Sequence, residues 1–307
     1  MATLIEETPL QTIRPWQPFT CEVAALRRLS PSFLRVTFAS PSLRHFADNG
    51  YDQRFKLIFP APDCGYDKLP VGDRWYSELL ALPDSEQCRV RTYTVRHVRP
   101  EVGEVDVDMV LHEPHADSEC PALRWALEAK PGDQMVLLGP DARYDGPHGG
   151  VDFRPPEHAE LLLAGDETAM PAIASILDRL PITAYGSAFI EVPEAADALE
   201  LEVPPEMEVH WLPREGADWG SRLIPAVTEA AAGLDIDGER EAVEDRDPDA
   251  ELLWDAPEPA EACGAYVWVA AETSVVRTIR RTVRNDLGLP KECGAFMGYW
   301  RQGREIG

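Results

Sequence analysis

The sequence predicts an antiparallel six-stranded β-barrel over residues 18–150, followed by a parallel α/β domain over 151–307. Three observations predict this. Six β-forming runs follow one another between Thr20 and Pro140 with no long helix among them. After about Val151, short apolar runs alternate with helical periods. The alternation breaks once, at 235–261, where twelve acidic residues stand against Arg240 and Arg246. That stretch reads as a solvated, mobile insertion that buries little. A chain of 307 residues that is 44% apolar has enough length and hydrophobicity for two domains with cores.

The barrel elements follow in order. Residues 1–17 read as a loose arm. Thr20–Leu26 and Phe33–Ala39 are β-type runs, and Ser40-Pro41 ends the second. Gln53–Phe59 is closed by Pro60, and a Pro/Gly/Asp-rich loop extends to about Arg74. Arg89–Arg99 is the fourth strand. Gly103–His112 alternates as Val105, Asp106, Val107, Asp108, Met109, Val110 and is the fifth. Gln134–Pro140, after the turn Pro131-Gly132-Asp133, is the sixth. Between the last two, Ser118 can cap a helix with Pro121 in its first turn, running through Leu123, Trp125 and Leu127 to Lys130.

In the second half, Ala159–Gly165 is a short apolar run typical of a buried parallel strand. Asp166-Glu167-Thr168 leads into a helix from Ala169 to Leu180. Gly186–Val192 and Glu208–Leu212 are strands, and Ser221–Ala232 is a helix stopped by Gly233. Ala265–Ala271 is the fourth strand. Ser274 is placed to cap a helix carrying Val275, Val276, Ile279, Val283 and Leu287, which ends before Gly288. Ligands of such sheets sit at the carboxyl ends of the strands, beside helix N-termini. This puts Gly165-Asp166-Glu167-Thr168 and Ala271-Glu272-Thr273 at a ligand edge.

Charge and composition narrow the function. The net charge is −25, which argues against nucleic acid and anionic membranes as partners. No run of eighteen apolar residues suggests a membrane span, and the first seventeen residues lack the apolar stretch of a secretory signal, so a cytoplasmic protein is expected. The six cysteines are scattered without a C-x-x-C pair and read as reduced thiols. The seven histidines show no ligand spacing, so no metal site is expected.

Against that charge, Arg89–Arg99 inverts the local sign, with four arginines and one histidine in eleven residues. On a strand, Arg89, Arg91, Tyr93 and Val95 share one face. Guanidinium forks suit phosphate oxygens, and a ring suits stacking on a flat heterocycle. Such a strand can equally be a sheet edge guarded by charge.

Arg91-Thr92-Tyr93-Thr94 matches the R-x-Y-[ST] signature of ferredoxin-reductase-like flavoproteins. With the Asp108–His112 strand and the Pro121-Ala122-x-x-Trp125-Ala126 helix start, Gly165–Ala172 and Gly298–Gly303, the chain resembles the siderophore-interacting proteins, flavin-dependent ferric-siderophore reductases. The resemblance spans about Phe19 to Arg304. It implies FAD bound on the barrel, with Arg91 on the pyrophosphate, Tyr93 against the flavin or ribityl, and Thr94 near the isoalloxazine. Thr92, Asp108, Val110, His112, Ala122 and Trp125 complete the implied FAD site. Trp300, with Tyr299, closes over the flavin side. The α/β domain is implied to bind NADPH or NADH through Gly165, Asp166, Thr168, Ala169, Arg214 and Glu272.

Glu191, at a strand end, suits a ribose 2′-hydroxyl and favours NADH, whereas Arg214 suits a 2′-phosphate; the choice stays open. Two departures from the family pattern stand out. Cys120 replaces the usual Gly before Pro121-Ala122, and Ala271 replaces the usual Gly before Glu272, where its methyl would crowd a nicotinamide nucleotide. The implied reaction is reduction of Fe(III) in a siderophore to release Fe(II). The alternatives are a general flavin or quinone reductase on the same fold and a non-catalytic siderophore-binding protein. An anionic ferric siderophore needs a basic face on so acidic a protein, and Lys56 and Arg301 are the candidates. A monomer is favoured.

Overall fold

The structure, a computed structural model, describes residues 13–72, 74–111, 121–236, 253–258 and 263–303. The first half is a seven-stranded antiparallel sheet of β1 (Trp16–Arg28), β2 (Phe33–Ala39), β3 (Arg54–Phe59), β4 (Arg89–Thr94), β5 (His97–Arg99), β6 (Glu104–Val110) and β7 (Gln134–Pro140). Their spatial order is β4-β3-β7-β1-β2-β6-β5. Sequence predicts six strands because β4 and β5 lie in one continuous run. The chain bends between them, so β4 and β5 lie at opposite ends of the hydrogen-bonded order although two residues separate them. Val95 N donates to Gln53 O at 2.9 Å, and Arg96 N donates to Asp106 O at 2.9 Å. These bonds curl the sheet into its barrel form.

Alternation sets the barrel core. Phe55, Leu57 and Phe59 of β3 point inward with Phe38, Val105, Val107, Met109 and Leu137. In β6 the aspartates between those apolar residues are buried too, at 5% exposure for Asp106 and 3% for Asp108. Neighbouring arginines make this tolerable: Arg99 pairs with Asp106, and Arg35 with Asp108. Helix α1 (Trp75–Leu80) lies in the long loop, and α2 (Pro121–Glu128) follows the expected position. Ser118, Cys120 and His112 fall outside the described residues.

The second half holds β8 (Glu160–Gly165), α3 (Met170–Arg179), β9 (Tyr185–Val192), β10 (Glu206–Pro213), α4 (Leu223–Ala232), β11 (Trp254–Asp255), β12 (Ala265–Glu272), α5 (Thr273–Arg281) and β13 (Gly294–Trp300). The order is β10-β9-β8-β12-β13-β11, parallel throughout except for β11, which runs antiparallel to β13. The α3 side of the sheet buries Leu161, Ile173, Ile190 and Trp268; the α4 and α5 side buries Leu162, Val227, Val269 and Val276. Ala271 belongs to the latter core at 0% exposure. Its methyl therefore points into packing and does not crowd the ligand edge.

Three further expectations change. Cys263 and Cys293 form a disulfide, with Cα atoms 5.9 Å apart, because the fold brings the start of β12 beside the entry to β13. Among the described cysteines, Cys21, Cys64 and Cys88 are free thiols. The acidic stretch is not wholly peripheral. Leu253 O accepts from Gly298 N at 2.7 Å, and Asp255 accepts from Arg280 Nε at 2.6 Å. Finally, Glu272 rather than Ser274 caps α5, accepting from Ser274 N and Val275 N.

The two halves are tied at several points. Buried Asp52 accepts from Phe153 N at 3.0 Å and from Trp268 Nε1 at 3.3 Å. Asp197, 0% exposed, accepts from Ser30 Oγ and Ser32 N, each at 2.7 Å. Ser175 Oγ of α3 donates to Val95 O at 3.0 Å.

Candidate functional site

The signature strand, β4, is an edge strand of the antiparallel sheet, paired with β3. Residues opposite each other in an antiparallel pair share a face. Phe55 opposite Tyr93 and Leu57 opposite Arg91 therefore define the inner face of β3–β4; Arg54 opposite Thr94 and Lys56 opposite Thr92 define the outer one. Tyr93 is half-buried against the barrel core. Its ring lies 6.5 Å from that of Phe59, which meets Trp125 of α2 edge-on at 5.8 Å. Trp125 also stacks on Phe38 at 6.1 Å, and Ala122 is buried beneath it. Arg91 is half-buried and its Nη1 donates to Val90 O at 2.9 Å. Thr94 is 6% exposed. On the outer face Lys56 Nζ donates to Thr92 Oγ1 at 2.5 Å, and burial together with nearby Arg54 lowers the Lys56 pKa.

Asp108 is 3% exposed and lines a cavity with Arg35, Arg96, His97 and Asp178. Arg35 grips it through two hydrogen bonds of 2.6 and 2.7 Å, so its side chain organises β2 and β6. Val110 is half-buried against the core of the second half.

At the carboxyl edge of the parallel sheet, Asp166 ties three strand ends together. Its Oδ1 accepts from Thr168 N at 2.9 Å and Thr168 Oγ1 at 2.5 Å. Its Oδ2 accepts from Glu272 N at 2.8 Å and Trp300 Nε1 at 2.7 Å. Burial, reinforced by the Glu167 charge, pushes the Asp166 pKa up to about 7. Gly165 permits the close turn into α3: a Cβ there would lie 2.5 Å from that of Ala169 and 2.7 Å from Ala270 O. Trp300 meets Trp219 edge-on at 5.0 Å, and Arg301 follows it, half-buried.

Neither residue expected to read the ribose is presented to a ligand. Glu191, 0% exposed, accepts from Gly220 N at 2.8 Å and from Arg222 N and Leu223 N at 3.0 Å, so it caps the start of α4. Arg214, 7% exposed, forks onto Glu167 with bonds of 2.6 and 2.8 Å. Glu272 is likewise occupied with the start of α5.

Sequence reasoning missed two residues where the halves meet. Arg54 forms an ion pair with Asp152 at 2.6 Å and lies 4.3 Å from the ring centroid of Trp254. Trp254 in turn lies parallel to Tyr299, 6.0 Å away with 9° between planes. The available signal was the Leu253-Trp254 pair, apolar within an acidic run.

FAD fits this arrangement. Arg54 Nε and Tyr299 Oη are buried donors with no acceptor among the described residues. Arg54 is the strand partner of Thr94, so acceptors on a flavin ring edge laid along Thr94 would answer unmet donors. Aromatic Tyr93 and Trp125 and the Arg91 cation stand on the other side of the same strand pair.

Barrel and adjoining parallel sheet share their fold with solved ferredoxin reductases, and the first half falls in a class of FAD-binding domains. A model of the siderophore-interacting FAD-binding domain matches residues 22–144, and the siderophore-interacting protein model matches 158–303. An uncharacterized protein of Mycobacterium tuberculosis is 34% identical over 95% of this chain and 92% of its own. The ferric vibriobactin reductase ViuB of Vibrio cholerae is 28% identical over 90% of this chain and 86% of its own. A solved siderophore utilization protein from T. fusca superposes with TM-score 0.69 at 28% identity, covering 95% of each chain. The chain belongs to the siderophore-interacting protein family. No helix among the described residues is long and apolar enough to cross a membrane.

Proposed function

We propose that the protein is a cytoplasmic, monomeric, NAD(P)H-dependent reductase that uses FAD to reduce ferric siderophores and release Fe(II). One observation carries this reading. Through Arg54, Trp254 and Tyr299, the strand pair that bears the flavin signature touches the last strand of the nucleotide-type sheet. An electron donor at the sheet edge and an acceptor at that strand pair would then face one cofactor. FAD would supply the chemistry, because flavin accepts a hydride, two electrons at once, and releases electrons singly.

The chain's residues bind and orient. Arg91 holds the pyrophosphate, Tyr93 and Trp125 flank the cofactor with Ala122 leaving room, and Thr92 and Thr94 line its strand edge. His112, outside the described residues, is assigned to the same site by resemblance alone. Asp108 and Val110 act through strand position, since the Asp108 carboxylate belongs to Arg35. Gly165, Asp166, Thr168 and Ala169 shape the nicotinamide side, with Trp300 fixed by Asp166. Lys56 and Arg301 attract an anionic ferric siderophore.

The purified protein is expected to be yellow, to bleach with NADPH or NADH, and to deliver Fe(II) from ferric chelates to a ferrous trap. Lys56→Glu/Arg301→Glu should slow reduction of anionic chelates, and added salt should slow the wild type, because screening shortens from about 10 Å at 0.1 M to about 3 Å at 1 M. A colourless protein that binds siderophore would indicate a binding module. Reduction of quinones or free flavin in preference to ferric chelates would indicate a general reductase.

A further inference from the structure

A cavity of about 480 Å³ is lined by both halves of the chain. Two buried ties frame it. Arg96 donates to Asp178 of α3, and Ser175 Oγ of the same helix donates to Val95 O at 3.0 Å. Asp197 accepts from Ser30 Oγ and Ser32 N, one residue past the lining Leu29 and two before the lining Leu199. With both borders pinned, the walls keep their spacing. The volume falls within the roughly 300–1,000 Å³ of small-molecule sites, which favour such junctions. Of the residues assigned to the flavin or the nicotinamide nucleotide, only Asp108 lines it, and Arg35 holds that carboxylate.

The charges of this cavity are not cancelled where they stand. On the barrel side, Arg27 lies directly opposite Arg35 in the β1–β2 register. Like charges so placed repel each other. Asp108 answers Arg35. Arg27 has no carboxylate within ion-pair distance among the described residues, and Arg28 donates only to the carbonyls of Ser30 and Pro31. On the other half, Glu200 and Glu202 line the same cavity, both exposed and with no cation in ion-pair distance among the described residues. Leu29, Met170, Ala174, Leu199 and Leu201 add apolar surface. A purely anionic ligand would meet the two glutamates, and a purely cationic one the two arginines. A molecule with one charge of each sign, carried on an apolar body, answers both walls.

We propose that this cavity is a second ligand site, built for a small zwitterion with an apolar body, such as a short apolar peptide. The ligand's carboxylate goes to Arg27 and Arg28 and its ammonium to Glu200 and Glu202. Because both halves contribute, binding fastens them together and stabilises the folded chain by mass action.

The test titrates leucyl-leucine into the flavin-loaded full chain by isothermal calorimetry. N-acetyl-leucyl-leucine lacks the ammonium, and leucyl-leucinamide lacks the carboxylate. The dipeptide should bind saturably below about 10 mM, and each capped form about tenfold more weakly, the loss of one charge-assisted contact. Arg27→Gln should weaken the dipeptide and the acetyl form but spare the amide. Glu200→Gln/Glu202→Gln should weaken the dipeptide and the amide but spare the acetyl form. A thermal melt of each variant establishes that it is folded. No saturable binding of leucyl-leucine, capped forms that bind as well as it does, or variants that weaken all three ligands alike overturn the zwitterion site. Release of flavin into solution during the titration, read by absorbance, places the dipeptide in the flavin site and overturns it as well.

Discussion

Arg214→Ala separates a structural role for this guanidinium from a cofactor-reading one. In the structure the side chain is buried and forks onto Glu167, which also accepts from Trp219 Nε1 at 3.3 Å. Removing the arginine strands a buried carboxylate, a change that costs about 3–5 kcal/mol. Unfolding entropy on the order of 2.1 cal/mol/K per residue gives about 640 cal/mol/K for 307 residues. The melting temperature should therefore fall by about 5–8 °C in a thermal scan of the flavin-loaded protein. Arg214→Met combined with Glu167→Gln should recover part of this, because only Glu191, still held by three backbone N–H groups, then keeps a charge without its cation. Steady-state kinetics with NADPH and NADH should show the ratio of the two kcat/KM values unchanged in Arg214→Ala. An unchanged melting temperature with an NADPH-specific rise in KM would refute the reasoning and place Arg214 on a 2′-phosphate.

Three further outcomes are expected. Arg91→Ala should weaken FAD binding about ten- to a hundredfold, the loss of one charge-assisted phosphate contact, measured by equilibrium dialysis; retained affinity would remove Arg91 from the site. Reducing the Cys263–Cys293 bridge, whose cysteines lie 30 residues apart, should cost about 3–4 kcal/mol by loop entropy and lower the melting temperature; identical melts with and without reductant would show free thiols. His97 contacts Asp106 of the barrel and Asp178 of α3, with Arg96 and Arg35 opposing, and the two carboxylates raise its pKa. A raised folded-state value stabilises below the unfolded His value of about 6.5, and the gain is lost as pH rises through the folded value. The melting-temperature gap between wild type and His97→Gln should thus shrink from pH 6 to pH 9, and a gap that widens would refute the contact.

The sequence alone determined the order of domains, most of the strands and helices, and the family. These are local: two-residue alternation in β3 and β6, the apolar runs of β8 and β12, Pro121 at the start of α2, and the contiguous Arg91-Thr92-Tyr93-Thr94 motif each fit within one element. It did not give the anchored end of the acidic stretch, because Leu253, Trp254 and Asp255 are placed by β13, about forty-five residues further on, and by α5, about twenty-five further on.

Only the tertiary structure decided how charges are allotted. Glu191 and Arg214 read as ligand residues from their places at strand ends, yet the turn after β10 brings Arg214 onto Glu167 and the start of α4 onto Glu191. Once these groups are removed from water, their partner must be whichever opposite charge or N–H is nearest in space, since an unpaired buried charge is the costlier state. The same holds for the Cys263–Cys293 bridge and for the bend that splits β4 from β5. Each depends on which segments the packed sheets bring together, and sequence spacing carries no record of that distance.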